Sequence, residues 1–202
     1  MDETQRRYRS ILIFGEPGSG KGTQGKVLGT VPGFFHLACG DVFRTLDPIS
    51  DLGKTFLEHS SKGKLVPDNF TVQLWRERIL RLVQTGEFRP DQEILVLDGI
   101  PRNRHQAEMM EHYIQVILLI YLEARDQETL IQRIRRRALR ENRLDDADEK
   151  VIRTRFREYM AETEPVLAYY PAEIIRKVEA GAAPIDVLLE VVEAVRDVAA
   201  RA

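Results

Sequence analysis

The feature that most constrains this chain is the segment Gly15-Glu-Pro-Gly18-Ser-Gly20-Lys21-Gly22-Thr23, set between the apolar run Ile11-Leu-Ile-Phe14 and a helix-like stretch from Lys21. It matches the pattern GxxxxGK in the strand, turn, helix setting that the pattern's mechanism requires. Glycines let a backbone wrap a phosphate with its N–H groups, and the helix that follows adds a partial positive charge at its N-terminus. Lys21 would reach the β and γ phosphates of a bound nucleotide. A glycine-rich turn that merely caps a strand is the plainer reading. One detail differs from the strict pattern: Gly22 follows Lys21, and the hydroxyl comes one place later, at Thr23.

Further apolar runs extend the strand series. Phe34-Phe-His-Leu37 is a second candidate, Ile94-Leu-Val-Leu97 a third, Val116 to Leu122 a fourth and Ile174 to Val178 a weaker fifth. Near-continuous apolar strands are buried on both faces, as in parallel sheets covered by helices. Helix-like segments lie at Asp68 to Gln84, Arg104 to His112, Asp126 to Leu139, Ala147 to Tyr169 and Ile185 to Ala199. Strands alternating with helices predict an α/β fold with a doubly wound, parallel, five-stranded sheet. Ligands bind such sheets beyond the carboxyl ends of the strands. Two charged stretches interrupt the pattern, Asp47 to Phe70 and Arg136 to Asp148, and read as excursions over a site.

Length and charge narrow the partners. With 202 residues, 43% hydrophobic and 31% charged, the chain reads as globular and long enough for one α/β domain with a full core. No apolar run approaches the roughly 20 residues that span a bilayer, so no membrane partner is expected. Met1 to Ser10 is charged, lacks the apolar core of a signal peptide and reads as a short arm before the first strand. Cys39 is the single cysteine, which excludes an internal disulfide and a cysteine-based zinc site and suits a reducing cytoplasm. A net charge of −2 argues against nucleic-acid binding by the molecule as a whole. The six arginines between Arg133 and Arg143 are instead a local patch suited to a small anion.

Two more constellations bear on chemistry. Asp98 ends the third apolar run, where enzymes with a phosphate loop place an acidic group for Mg²⁺. An Asp-Gly turn without a ligand has the same sequence. Arg133, Arg137 and Arg140 fall at i, i+4 and i+7 on one helical face, while Arg135 and Arg136 point elsewhere. Arginines neutralise the charge that phosphoryl transfer spreads over equatorial oxygens, although a run of charge also suits a solvated helix face.

From the phosphate loop almost to the C-terminus the chain resembles the adenylate kinase family. Gly15 to Gln24, GEPGSGKGTQ, is similar to that family's loop. Cys39-Gly-Asp-Val-Phe-Arg44 resembles TGDxxR, Gly63-Lys-Leu-Val-Pro-Asp68 resembles GKLVxD, and Asp98-Gly-Ile-Pro-Arg-Asn103 with Gln106 resembles DGFPRxxxQ. Arg143-Leu-Asp-Asp146 resembles the lid signature RxDD, with Arg155 and Tyr159 downstream. Five ordered motifs at fitting separations are far more specific than any one alone.

The resemblance implies a P-loop NTPase-type core over residues 1–202, with a monophosphate-binding insertion at about 40–70 and a short lid at about 137–148. The short link from Arg137 to Arg143 is that of a lid without a zinc-bearing hairpin. The implied reaction is reversible, Mg²⁺-dependent transfer from ATP to AMP giving two ADP, in a cytoplasmic monomer. Gly18, Ser19, Gly20, Lys21, Gly22 and Thr23 would cradle the ATP phosphates, with Arg133 and Ala183 at the adenine and Arg137 at the phosphates. Arg44 and Arg102 would hold the acceptor phosphate. Cys39, Gly40, the Lys64, Leu65 and Val66 backbone, Gly99, Ile100 and Gln106 would surround the acceptor base. Arg143 and Arg155 would close from the lid, oriented by Asp145 and Asp146, and Asp98 would hold Mg²⁺ through water.

The sequence departs from the family pattern in four respects: Cys39 stands where threonine is usual, Ile100 replaces an aromatic, Glu16 puts a carboxylate into the loop, and the spacing from Asp146 to Arg155 is longer than usual. Glu16 is expected to interfere with anion binding unless it points outward. A UMP/CMP-type kinase is the alternative acceptor reading, and Gln106 favours AMP. A regulatory relative without catalysis would lack basic groups that this chain keeps. A nucleic-acid binder built on the arginine run would need an aromatic stacking platform.

Overall fold

Strand β1 (Tyr8–Gly15) sends Leu12 and Phe14 to one face of the sheet and Ile11 and Ile13 to the other, and both faces are apolar. Alternate residues point to opposite faces, so a strand covered on both sides reads as an unbroken apolar run. The computed structural model describes residues 7–141 and 148–199. Its sheet has the order β2-β3-β1-β4-β5, with β2 at Phe34–Ala38, β3 at Ile94–Asp98, β4 at Ile114–Glu123 and β5 at Ile175–Glu179. Every neighbouring pair is parallel, as the alternating pattern predicts.

Helices cover both faces. Helices α2 (Cys39–Arg44), α4 (Asp68–Gln84) and α5 (Arg104–Met110) lie over one, where Val42, Trp75, Ile79, Leu82 and Met110 meet Leu12, Leu97 and Leu119, and α3 (Asp51–Ser60) stacks Phe56 on Phe43 of α2. Trp75, Ile79 and Leu82 recur at i, i+4 and i+7 and are each 1% exposed. Burying such side chains contributes about 1.5–3 kcal/mol each. Helices α1 (Lys21–Leu28) and α8 (Pro184–Ala199) lie over the other face, with Leu28, Val187 and Val191 against Ile11, Val96 and Ile120. A third apolar layer, Leu130, Ile131 and Ile134 with Ile152 and Phe156, joins α6 (Gln127–Glu141) to α7 (Glu149–Glu158).

Helix α1 is held to β2 by an unusual device. Gly25 and Gly29 both face His36, whose ring and Cβ occupy the space their side chains would need; a Cβ on Gly29 would sit 2.7 Å from the His36 Cβ. Burial lowers the pKa of this imidazole, with Asp98 and Asp41 opposing.

Two expectations are corrected. Tyr8 to Ser10 is strand, not arm: Tyr8 is 7% and Ser10 0% exposed, and Tyr8, Arg9 and Ser10 pair with Ile114, Gln115 and Val116. The Tyr8 ring meets Phe88 edge-on at 5.6 Å, an aromatic contact made far along the chain. The single helix read from Ala147 to Tyr169 is interrupted. After α7 come a π-helical turn at Tyr159–Thr163 and a 3₁₀ segment at Glu164–Tyr169. Pro165 has no N–H to continue the α ladder, and the Thr163 hydroxyl is drawn sideways to donate to the Arg102 carbonyl at 2.7 Å.

The chain leaves β1 toward β2 on one side and crosses from β3 to β4 on the other. The carboxyl ends of adjacent β1 and β3 are therefore the switch point where such sheets bind ligands. Ile13 pairs with Asp98, which sets that carboxylate beside the loop leaving β1.

Candidate functional site

The loop after β1 needs its glycines. Gly15, Gly18 and Gly20 have φ of 148°, 84° and 100°, a region that costs other residues about 1–2 kcal/mol. Gly18 also lies flush on α6: a Cβ there would sit 2.7 Å from the Leu130 carbonyl oxygen and 3.1 Å from Ile134 Cγ1. Gly20 precedes the first turn of α1, whose leading N–H groups have no partner within the helix. The Ser19 hydroxyl is buried in the loop without a hydrogen-bond partner among the described residues.

Lys21 folds back over the loop, donating from Nζ to the Gly15 carbonyl at 2.6 Å and the Glu16 carbonyl at 3.0 Å. Burial brings its ammonium down to about 8 against the pull of Asp98, with Arg102, Arg155 and Arg137 adding to the decrease. Those charges act on Lys21 together because the fold gathers them at the ends of β1 and β3. A cluster of cations whose mutual repulsion is felt at one ammonium is built for a polyanion.

Asp98 is half-buried beside Lys21. Its Oδ2 would lie 3.3 Å from a Cβ on Gly22, so the glycine that breaks the strict loop pattern makes room for the carboxylate. Among the described residues no cluster of three or more His, Cys, Asp or Glu could hold a metal. A lone carboxylate near a phosphate cradle suits Mg²⁺, which keeps several waters and takes one or two carboxylates plus phosphate oxygens.

Residues expected around the acceptor surround the end of β3. Gly99, with φ of 79°, lets the Arg102 guanidinium approach. Arg102 donates from Nε to the Gly99 carbonyl at 2.9 Å. Cys39 faces Gly99, its Cβ 3.8 Å from where a Gly99 Cβ would be. Burial pushes the Cys39 thiol up to about 12 over the opposing charge of Arg102. Gly40 admits Arg44, which turns back to Asp41 at 3.0 Å. Ile100 is 1% exposed and packs in the apolar layer with Cys39 and Val42. Gly63, with φ of 69°, lies against α7; a Cβ there would sit 2.7 Å from the Val151 carbonyl oxygen and 3.1 Å from Arg155 Cγ. The turn carrying Lys64, Leu65 and Val66 is thereby brought to the helix carrying Arg155.

Gln106 is 1% exposed and held at both ends of its amide. Its Oε1 accepts from the Arg102 N–H at 2.8 Å, and its Nε2 donates to Asp68 Oδ1 at 2.8 Å. Asp68 also accepts from Asn103 Nδ2 at 2.8 Å and pairs with His105 Nδ1 at 3.0 Å. Burial pushes the Asp68 carboxyl up, but the hydrogen bonds from His105, Gln106 and Asn103 win and hold it below its usual range. Asp68 was not among the expected site residues; its partners lie on another element, and only its place in the Gly63–Asp68 motif hinted at it.

On the donor side, Arg133 donates to the Ala180 carbonyl at 2.9 Å, close along the chain to Ala183, which accepts from the Asp186 and Val187 N–H groups at the start of α8. The two groups expected at the adenine are therefore neighbours. Thr23 is exposed. Arg137 and Arg155 both bear on Lys21. Arg143, Asp145 and Asp146 lie outside the described residues, as does the Arg140 side chain. Glu16, which was expected to interfere unless it points outward, points inward: it is 8% exposed and accepts from Gln127 on α6 at 3.1 Å.

A parallel sheet with a phosphate-type loop after its central strand, an acidic residue ending the adjacent strand and convergent cations is the arrangement of a P-loop NTPase-type phosphotransferase. The family profile described as adenylate kinase matches residues 13–175. The chain is 35% identical to the adenylate kinase of Flavobacterium psychrophilum over 167 residues, 80% of this chain and 84% of that protein. It is 36% identical to adenylate kinase isoenzyme 1 of Homo sapiens over 183 residues, 89% and 90% of the two chains. With the Sus scrofa isoenzyme 1 it shares 35% identity over 194 residues, 95% and 96% of the two. The chain belongs to the adenylate kinase family. It is a nucleotide-binding kinase, and no described helix is long and apolar enough to cross a membrane.

Proposed function

We propose that the chain is an ATP:AMP phosphotransferase, moving the γ-phosphoryl of ATP to AMP and back. The observation that carries this is the convergence of Asp98, Arg102, Arg137 and Arg155 on Lys21 at the switch point of the sheet. Phosphoryl transfer depends on positioning and electrostatic stabilisation, and this cluster supplies both beside a glycine-rich loop and the N-terminus of α1.

In this reading the backbone of Gly18 to Thr23 holds the β and γ phosphates, and the buried Ser19 hydroxyl gains an acceptor. Lys21 exchanges its carbonyl partners for phosphate oxygens. Arg133 and the chain at Ala183 flank the ATP adenine. Arg44 and Arg102 hold the acceptor phosphate, with Arg102 already oriented by Gly99. Arg137 and Arg155, with Arg143 from the lid at about 137–148, neutralise charge on the transferred group and exclude water, the competing acceptor. The insertion at about 40–70 closes from the opposite side. Mg²⁺, held by Asp98 through water, would neutralise charge on the phosphate oxygens.

Gln106 fits a base reader even though both ends of its amide are engaged. Its oxygen keeps one lone pair and its nitrogen one N–H, the donor and acceptor pair that an adenine edge requires. Lys64 to Val66, Gly99 and Cys39 complete the surround, with Gly40 and Ile100 behind them. Cys39 weakens the preference for AMP without reversing it, because a thiol holds a base edge poorly, and a UMP/CMP-type kinase is the second reading. A reducing cytoplasm is the setting we assign, on the single buried thiol, and a monomer is the state we assign by resemblance to the family.

A coupled assay of ATP against AMP, UMP, CMP and GMP tests the reading. AMP should give the highest kcat/KM. Preference for CMP or UMP replaces it with the second reading, and no transfer to any monophosphate overturns both.

A further inference from the structure

We propose that Glu16 is a positioning residue for ATP, whose carboxyl ties the phosphate loop to α6 and so sets Arg133 and Arg137 against the bound nucleotide. This rests on the roles given above to those arginines. A carboxylate inside an anion-binding loop would ordinarily repel its ligand. Here it is turned away from the open side of the loop, 8% exposed, with Oε1 accepting from Gln127 Nε2 at 3.1 Å.

The geometry makes the contact a locating one. Gln127 is the first residue of α6, and Gly18 touches the same helix at Leu130 and Ile134. Gln127, Leu130 and Ile134 fall at i, i+3 and i+7, one face of the helix. The loop therefore grips α6 at two levels, by close backbone approach at Gly18 and by a hydrogen bond at Glu16. Two contacts separated along an axis fix both rotation and advance of a helix, where one would leave it free to roll. Arg133 and Arg137 ride on that helix, and Arg133 spans to Ala180. Misplacement of about 1 Å at such groups is enough to weaken a transition-state contact strongly.

The same residue also fixes the loop from within. The Glu16 carbonyl accepts from the Ser19 N–H at 3.1 Å and from Lys21 Nζ at 3.0 Å. The groups facing its carboxyl are Gln127, Glu164, Lys21 and the hydroxyls of Tyr121 and Tyr159. Tyr121 donates to Glu164 at 3.4 Å. Glu16 thus sits where the loop, α6 and the segment after α7 meet.

The test compares Glu16→Ala, Gln127→Ala, the double variant and Glu16→Gln, with ATP and AMP varied separately and melting recorded alongside. Glu16→Ala should raise KM for ATP about five- to tenfold, the scale of one lost hydrogen bond, while KM for AMP moves within about twofold. Gln127→Ala, at an exposed position that leaves the loop intact, should reproduce the effect, and the double variant should be no worse than either single one. Glu16→Gln should recover most of the loss, since an amide oxygen can accept from Gln127. Equal changes for ATP and AMP, additive effects in the double variant, or a loss confined to melting would overturn the proposal. Equilibrium ATP binding by the same variants keeps the test independent of the acceptor: a wild type that transferred nothing to AMP would defeat the reading of function, whereas unaltered ATP binding by Glu16→Ala would defeat this one.

Discussion

Gly22 and Asp98 share one small space: a single methyl on Gly22 would come within 3.3 Å of the Asp98 carboxylate. A branched side chain must therefore displace the carboxylate. Gly22→Val should lower apparent Mg²⁺ affinity by about 10–100-fold, as loss of an oriented metal partner does. Titrating Mg²⁺ at saturating nucleotides measures this, and an unchanged midpoint would separate Asp98 from the metal.

Lys21→Met should lower turnover on the order of 10³-fold, about 4 kcal/mol, with the fold retained. The wild type carries a second signature. Burial and neighbouring arginines depress the ammonium to about 8, and a polyanion would raise it again. Nucleotide binding then takes up a proton, and ATP affinity should decline as pH rises above about 8. Calorimetry in buffers of different ionisation enthalpy detects the proton; an affinity flat to about pH 9.5, within the ordinary lysine range, counts against the assignment.

Gly63→Ala combines strain with collision. Its φ of 69° disfavours any side chain, and the new Cβ would meet the Val151 carbonyl at 2.7 Å. The strain alone is about 1–2 kcal/mol. KM for AMP should rise several-fold more than KM for ATP if the turn serves the acceptor, as proposed. Equal rises would show that the contact serves only the overall fold.

Cys39→Thr should widen the preference for AMP over CMP by up to about tenfold, the scale of a neutral hydrogen bond. The Cys39 side chain faces Gly99, just past β3, and burial pushes the thiol up to about 12, so it stays neutral across the assay range. A ratio of kcat/KM values unmoved by threonine would leave Cys39 as packing alone.

Glu16 has a raised pKa, chiefly from burial, with Gln127 opposing. A carboxyl whose folded value is raised stabilises the fold most when protonated, and that contribution fades as pH climbs through the raised value. Glu16→Gln, neutral throughout, should melt higher than wild type by a margin that grows as pH climbs out of the ordinary carboxylate range toward the raised value. A margin that shrinks with pH would contradict the inward placement of the charge.

What was legible in the sequence was local. The loop could be read because its glycines are closely spaced and follow a strand, and Asp98 because it ends an apolar run. Gln106 was placed by resemblance, but its bond to Asp68 joins positions on separate helices that no spacing rule connects. The direction of Glu16 depends on Gln127, far along the chain after the neighbouring strand β4. Tyr8 to Ser10 looked like a charged arm because Arg7 and Arg9 flank Tyr8, whereas its pairing with β4 is long-range. Past α7, the periodic pattern continues through Tyr159 to Thr163, and only Pro165 signalled that the α ladder could not.

The paired glycines on α1 have a mechanical consequence. With Gly25 and Gly29 seated over His36, the helix is keyed to β2 much as a shaft is keyed to a hub: it can neither turn nor slide without driving backbone into an imidazole. Lys21 and the first N–H groups of α1 are therefore stationary with respect to the sheet. On the proposed reading, whatever travels during a catalytic cycle must come to them, and the phosphate end of ATP would be the fixed datum for any closure of the proposed insertion and lid.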